Sequence, residues 1–174
     1  MSSHEIEFFD KIVPDAYHGT SKASAAVILR DGFAASVGPK NYLGDGVYFF
    51  EGARTYAVNW AQKRYGLQSV VLHAIINLGY CLDFHIPEHV RLIQKWRDGL
   101  HQEVVRRKAA GRPTWQITDA FVINLIAKKV EIDTVRAVWL PSKSKKIFSG
   151  SHFIAGQLII CVRNLKSVLS VKMV

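Results

Sequence analysis

Tyr42–Phe50, YLGDGVYFF, sets two glycines and an aspartate directly before a run of aromatic and β-branched residues. Such a run reads as an exposed loop that turns abruptly into a short strand, VYFFE. Upstream, ASVGPK extends the loop, and SKASAAVILRDGF reads as a helix. Ser21 or Thr20 caps that helix, Ala25, Ile28 and Leu29 share a face, and Gly32 ends it. Before it, AYHGT (16–20) reads as the end of a strand, where a lone histidine among small and aromatic neighbours is by itself a packing residue. Downstream, ARTYAVNWAQKRYG places Ala53, Ala57, Trp60 and Ala61 at helical spacing, and Gly66 stops it.

The pattern outside this core is also segmented. SVVLHAIINLGYCLDF predicts a strand from about Ser69 to Leu78 with a bend at Gly79. From Pro87 to about Gly111 the spacing is helical, with Val90, Ile93, Leu100 and Val104 on one face. Arg91, Lys95, Arg97, Arg106, Arg107 and Lys108 fall largely elsewhere, as a solvated face or as one that holds anions. A further helix runs from its cap Thr118 to Lys129. TVRAVWLP, HFIAGQLIICV and LKSVLSVKMV read as strands, separated by the lysine-rich SKSKKIFSG and by a tight turn near Asn164. Strands open and close the chain, helices cluster in the middle, and no βαβ alternation occurs. The expectation is an α+β class with a mostly antiparallel sheet system and a helical insertion around 87–130.

Hydrophobic residues at 49% and charged residues at 21% exclude a disordered chain, and 174 residues fit one domain, 1–174. The net charge of +9 favours phosphates, nucleic acid, anionic lipid or an acidic partner. Cys81 and Cys161 lie in apolar runs without CxxC spacing, which predicts buried thiols, no metal site and a reducing compartment. No apolar leader or membrane-spanning run is visible, so a cytoplasmic protein without a membrane partner is expected.

Three stretches in order, YHGT, YLGDGVYFF with ARTYA, and AGQLIICV, resemble the signature of the ADP-ribosyltransferases of the poly(ADP-ribose) polymerase and diphtheria-toxin type. In that family a His-Gly-Ser/Thr strand precedes a helix ending in Gly-Phe, then a glycine-rich loop leading to Gly-Ile/Val-Tyr-Phe, and a final strand carries an acid or amide. Here the matching residues are His18, Gly19, Thr20, Gly32, Phe33, Gly44, Gly46, Val47, Tyr48 and Phe49. The ordered match covers about Ala16 to Ala61, the C-terminal match is weaker, and the helical middle matches nothing.

The resemblance implies the ADP-ribosyltransferase fold, two mostly antiparallel sheets forming a cleft for NAD as substrate. It implies His18 on the adenosine-side ribose, Gly19 presenting backbone groups to the nicotinamide carboxamide, and Tyr48 and Tyr56 walling the nicotinamide slot. Thr20 either contacts the ribose or caps the helix. Gln157 stands where the polymerases carry glutamate; an amide hydrogen-bonds a ribose hydroxyl but takes no proton, so transfer of a single ADP-ribose is expected over chain growth. Read without the family, Tyr48 is a core aromatic, Tyr56 a half-buried helix position and Gln157 an ordinary strand residue. Glu131 and Asp133 lie at a helix-to-loop junction and are poor substitutes for the missing acid.

For the acceptor, the loop before the third motif carries Lys143, Lys145 and Lys146, which with the arginine-rich helix would cradle a phosphate backbone. Trp115 and Trp139 either stack bases or sit in the core. The reading is a mono-ADP-ribosyltransferase acting on nucleic acid, RNA before DNA. Stand-alone bacterial domains with this resemblance are commonly toxins of toxin–antitoxin or anti-phage systems, which implies a cognate antitoxin protein as a further partner. Modification of a protein side chain and a catalytically impaired basic RNA-binding module are the alternatives. The RNA 2′-phosphotransferase of the same fold ranks low, because AYHGT has no flanking arginines.

Overall fold

The computed structural model describes residues 8–38, 41–140, 149 and 156–174. Six strands and four helices follow one another: β1 (Phe8–Ser21), α1 (Lys22–Asp31), β2 (Val47–Glu51), α2 (Arg54–Tyr65), β3 (Ser69–Asp83), α3 (Pro87–Ala109), α4 (Asp119–Ile126), β4 (Thr134–Trp139), β5 (Gln157–Val162) and β6 (Val168–Met173). The class is α+β, as the segment order predicts. No described helix is long and apolar enough to cross a membrane.

Local chemistry sets most boundaries. Ser21 caps α1, its Oγ accepting the Ser24 N–H at 3.1 Å, so Thr20 is released from that role and lies buried in β1. Gly32 ends α1 at φ 88°, where a β-carbon would be strained. Pro87 opens α3, and Thr118 caps α4 by accepting the Phe121 N–H. Cys81 and Cys161 are free and buried, as their apolar surroundings predict, and burial pushes both thiols up to about 12.

The sheet runs in the order β1-β2-β5-β4-β3-β6, with a further β1–β3 ladder that closes five of the strands into a ring. All pairings are antiparallel except β3–β4. Two separate sheets were expected; the strands instead form one hydrogen-bonded network, because β3 serves both halves. Its first part pairs with β1 and β6, and after Gly79 it pairs with β4 at Cys81, Leu82 and Asp83. Leu78 is therefore not the end of the strand. Gly79 bends it at φ 56°, and a β-carbon there would collide with the Asp133 carboxylate.

Side chains alternate between two buried clusters. Val13, Ala16, Val47, Phe49, Ala74, Ile76, Ile160 and Val162 form one. Leu82, Leu92, Val122, Ile123, Ile126, Val135, Ile159 and Cys161 form the other, joining the sheet to α3 and α4, with Tyr48, Phe50 and Trp139 packed against it. Trp139 is thus a half-buried packing residue of the second cluster.

Candidate functional site

The ladder between β1 and β2 holds only two register pairs, Ala16 with Glu51 and Tyr17 with Phe50. Beyond Tyr17 the strands part, and His18 spans the opening with a hydrogen bond between its Nδ1 and the Tyr48 carbonyl oxygen at 2.8 Å. A carbonyl only accepts, so Nδ1 carries the proton and Nε2 presents a lone pair. Burial holds the imidazole below its ordinary pKa, outweighing the opposing pull of the Tyr48 carbonyl, so the neutral tautomer dominates at neutral pH. The ring is wedged against Phe33 and Phe49, at centroid distances of 5.3 and 5.6 Å. The residue is only half-buried. It is a fixed hydrogen-bond acceptor at a strand opening.

Gly19 is required for a different reason from the one the sequence suggests. A β-carbon there would lie 2.5 Å from the Ala57 carbonyl oxygen and 3.0 Å from the Ala61 Cβ, so its missing side chain admits α2. A ligand would meet the backbone edge of β1, where pairing to β2 has stopped, and not the Cα face. Thr20 lies opposite Val70 in the β1–β3 ladder.

Tyr48 faces the second cluster, and its hydroxyl is committed to the preceding loop. Oη donates to the Gly44 carbonyl at 2.6 Å and accepts the Leu43 N–H at 2.9 Å. Burial, the largest influence, raises its pKa far above the ordinary tyrosine value, so it stays a phenol. The same loop is fastened twice more: Asn124 Oδ1 accepts the Asp45 N–H at 2.9 Å and Arg163 Nη1 at 2.8 Å, and Arg163 Nη1 also donates to the Asp45 carbonyl. Tyr56, in the first turn of α2, sits with its ring 6.0 Å from that of Phe50 and tilted by 35°. Tyr48, Phe50 and Tyr56 therefore share one side of β2.

Gln157 is the buried first residue of β5, on the Tyr48 side of the sheet. Tyr48 pairs with Cys161, four positions away, which puts the two roughly 13 Å apart along the strand. The Gln157 amide nitrogen donates to the carbonyls of Glu51 and Leu158 at 2.8 and 3.0 Å. His18 packs on the Phe49 face of β2, whereas Tyr48, Tyr56 and Gln157 lie on the other face, so the three motif residues meet only through the β2 backbone at Tyr48 and Glu51 and their side chains are not brought together. Lys143, Lys145 and Lys146 lie outside the described residues.

A charged cluster at the end of β2 went unread in the sequence. Arg136 of β4 forms a bidentate pair with Glu51, Nε to Oε2 at 2.6 Å and Nη2 to Oε1 at 2.9 Å, while Nη1 holds Asp83 Oδ2 at 2.9 Å. All three side chains are largely shielded from water. The bonds to Glu51 raise the Arg136 pKa first of all. Burial opposes ionisation of Asp83, but hydrogen bonds from His85 and Arg136 prevail and lower its pKa. Both Glu51 carboxylate oxygens are taken by the guanidinium fork, so the side chain is not free to stand in for the absent glutamate. The signal available in the sequence was a lone charge inside each of two apolar runs, YCLDF and TVRAVWLP, since a buried charge demands a partner.

Asp133 is also structural, its carboxylate accepting the Tyr80 N–H at 2.9 Å and an Asn164 amide hydrogen at 2.6 Å, and Glu131 is exposed. A cavity of about 450 Å³ opens on α2 between Arg54, Val58 and Gln62 and the strand ends at Val71 and Met173; no predicted site residue lines it. Neither a protein-family model nor a curated protein matches the chain.

Proposed function

We propose that the protein is an NAD-dependent mono-ADP-ribosyltransferase that modifies nucleic acid, RNA in preference to DNA. The observation that carries this reading is the state of His18. Its Nδ1–H is held by the Tyr48 carbonyl, its ring is neutral, and its Nε2 is left as an acceptor suited to a ribose hydroxyl at the point where β1 and β2 part.

In the reaction, the bond between the ribose C1′ and the nicotinamide nitrogen breaks and its electron pair leaves with nicotinamide, which becomes neutral. A lone pair of the acceptor forms the new bond to C1′, and the acceptor's proton passes to solvent. The transition state is cationic at the sugar, so fixing the ribose and excluding water supply most of the rate. His18 would orient the adenosine-side ribose, Tyr48 and Tyr56 would border the nicotinamide, and the Gln157 carbonyl would accept from a ribose hydroxyl. With its nitrogen engaged by two backbone carbonyls, Gln157 holds a ligand but activates no hydroxyl, which favours one transferred unit. The setting as a toxin of a toxin–antitoxin or anti-phage system rests on the family resemblance alone.

The commitment of the Tyr48 hydroxyl to its loop favours a second reading, a basic RNA-binding module without turnover. Incubation with radiolabelled NAD and cellular RNA, DNA and protein separates the two. Label in a nuclease-sensitive fraction, lost in His18→Ala, is expected. Intact NAD with no labelled fraction, together with retained and salt-sensitive RNA binding, would favour the binding module, and label in a protease-sensitive fraction would replace nucleic acid with a protein acceptor.

A further inference from the structure

The C-terminal end of α3 and the start of α4 form a site unrelated to the strand opening. Gly111, at φ 65°, lets the chain double back, its N–H bonding to the Lys108 carbonyl and the Arg112 N–H to the Arg107 carbonyl at 2.9 Å. This closure of a helix end is a Schellman motif, with glycine at its left-handed position. It gathers Arg106, Arg107, Lys108 and Arg112 around one turn. Arg107 Nε donates to the Pro113 carbonyl at 3.0 Å, which holds its guanidinium 5.0 Å above the Trp115 ring. The ring of Trp115 also lies 6.2 Å from that of the exposed Phe121, tilted by 37°.

Basic residues at a helix C-terminus offset its dipole, but that dipole amounts to only about half a charge. The nearby acids are Glu103, 3.6 Å from Arg106, and Asp119 in the first turn of α4. Four cations against these leave a surplus of about two positive charges beside an exposed aromatic face.

We propose that this junction is a binding platform for single-stranded nucleic acid, with Phe121 and Trp115 meeting an unstacked base and Arg106, Lys108 and Arg112 meeting the adjoining phosphates. Aromatic faces flanked by cations suit single strands, whose bases are free to stack, better than a duplex, whose bases are already stacked. The inference rests on the acceptor half of the proposed function and not on NAD chemistry.

The test is fluorescence anisotropy of the full chain with a labelled single-stranded RNA oligonucleotide across a salt series, for wild type, Phe121→Ala and Lys108→Gln/Arg112→Gln. Phe121→Ala is expected to weaken binding at least fivefold at every salt concentration. The double variant is expected to flatten the slope of log K against log salt by about 1.4, two lost phosphate contacts at ~0.7 each. Circular dichroism of the variants, all at exposed positions, monitors folding, and NAD consumption measured in parallel keeps the two proposals separable: RNA binding that survives an absence of turnover still supports the platform. Unchanged affinity and slope in both variants would overturn it. So would equal affinity for a duplex of the same length, or binding to anionic phosphatidylserine vesicles without binding to RNA.

Discussion

The two ends of β2 do opposite things with the same five residues. At its C-terminal end, Glu51 is locked by Arg136, its carbonyl holds Gln157, and β1 pairs through Ala16. At its N-terminal end β1 has left, and only the His18 side chain crosses the space to the Tyr48 carbonyl. The closed end fixes the geometry, and the open end leaves an acceptor nitrogen without a strand neighbour. A third register pair between β1 and β2 would have shut the opening; a missing ion pair at Glu51 would have let the whole strand drift.

Breaking the closed end gives the largest expected effect. Arg136→Met leaves the shielded Glu51 carboxylate without its ion pair and Asp83 with His85 alone, and chemical denaturation at neutral pH should show a loss of about 3–5 kcal/mol. Adding Glu51→Gln and Asp83→Asn should restore much of it, since it is the orphaned charge that destabilises. Because the folded Asp83 pKa is depressed, its contribution is present above the unfolded value and lost as pH falls through the folded one. The Arg136→Met deficit should therefore shrink in acid.

Gly19→Ala strikes between the two ends by pressing a methyl group onto the Ala57 carbonyl. Overpacking of this kind costs about 1–3 kcal/mol, and thermal denaturation should show the drop. A relaxed, equally stable Gly19→Ala protein would mean that α2 does not seat against β1 as described.

The open end titrates. His18 has a folded pKa depressed by burial, so its neutral form contributes stability that is present above about 6.5 and lost as pH falls toward the folded value. His18→Gln should flatten the stability profile over that window, and a profile unchanged from wild type would place the imidazole in water. Gln157→Glu removes both donated bonds and sets an acid against the Glu51 and Leu158 carbonyls, so a stability loss of about 1–3 kcal/mol accompanies it. Its readout is the product: chain growth on the acceptor would place position 157 at the ribose hydroxyl, whereas unchanged product would remove it from the site.

The sequence disclosed whatever depends on neighbours along the chain. The caps at Ser21 and Thr118, the stops at Gly32 and Gly66, the proline opening α3 and the bend at Gly79 are all local chemistry, and all lie where the residues place them. The ring closure was not legible, because it depends on β3 passing through Gly79 to meet β4 in parallel. Gly19 looks from its motif like a ligand contact, whereas the packing of α2, distant in sequence, is what excludes a side chain there. The Arg136–Glu51 pair joins positions 85 residues apart, and a lone charge in an apolar run announces that a partner exists without naming it. The order of motifs singles out His18 as a candidate, but its tautomer depends on the Tyr48 carbonyl, 30 residues away.

That tautomer is the most direct test of the account. In a nitrogen-15 histidine spectrum of the full chain at neutral pH, His18 should show a protonated Nδ1 and a bare Nε2, and millimolar NAD should shift the Nε2 resonance as it accepts a hydroxyl proton. A proton on Nε2, or a His18 signal that saturating NAD leaves unmoved, would contradict the assignment of this strand opening as the NAD site.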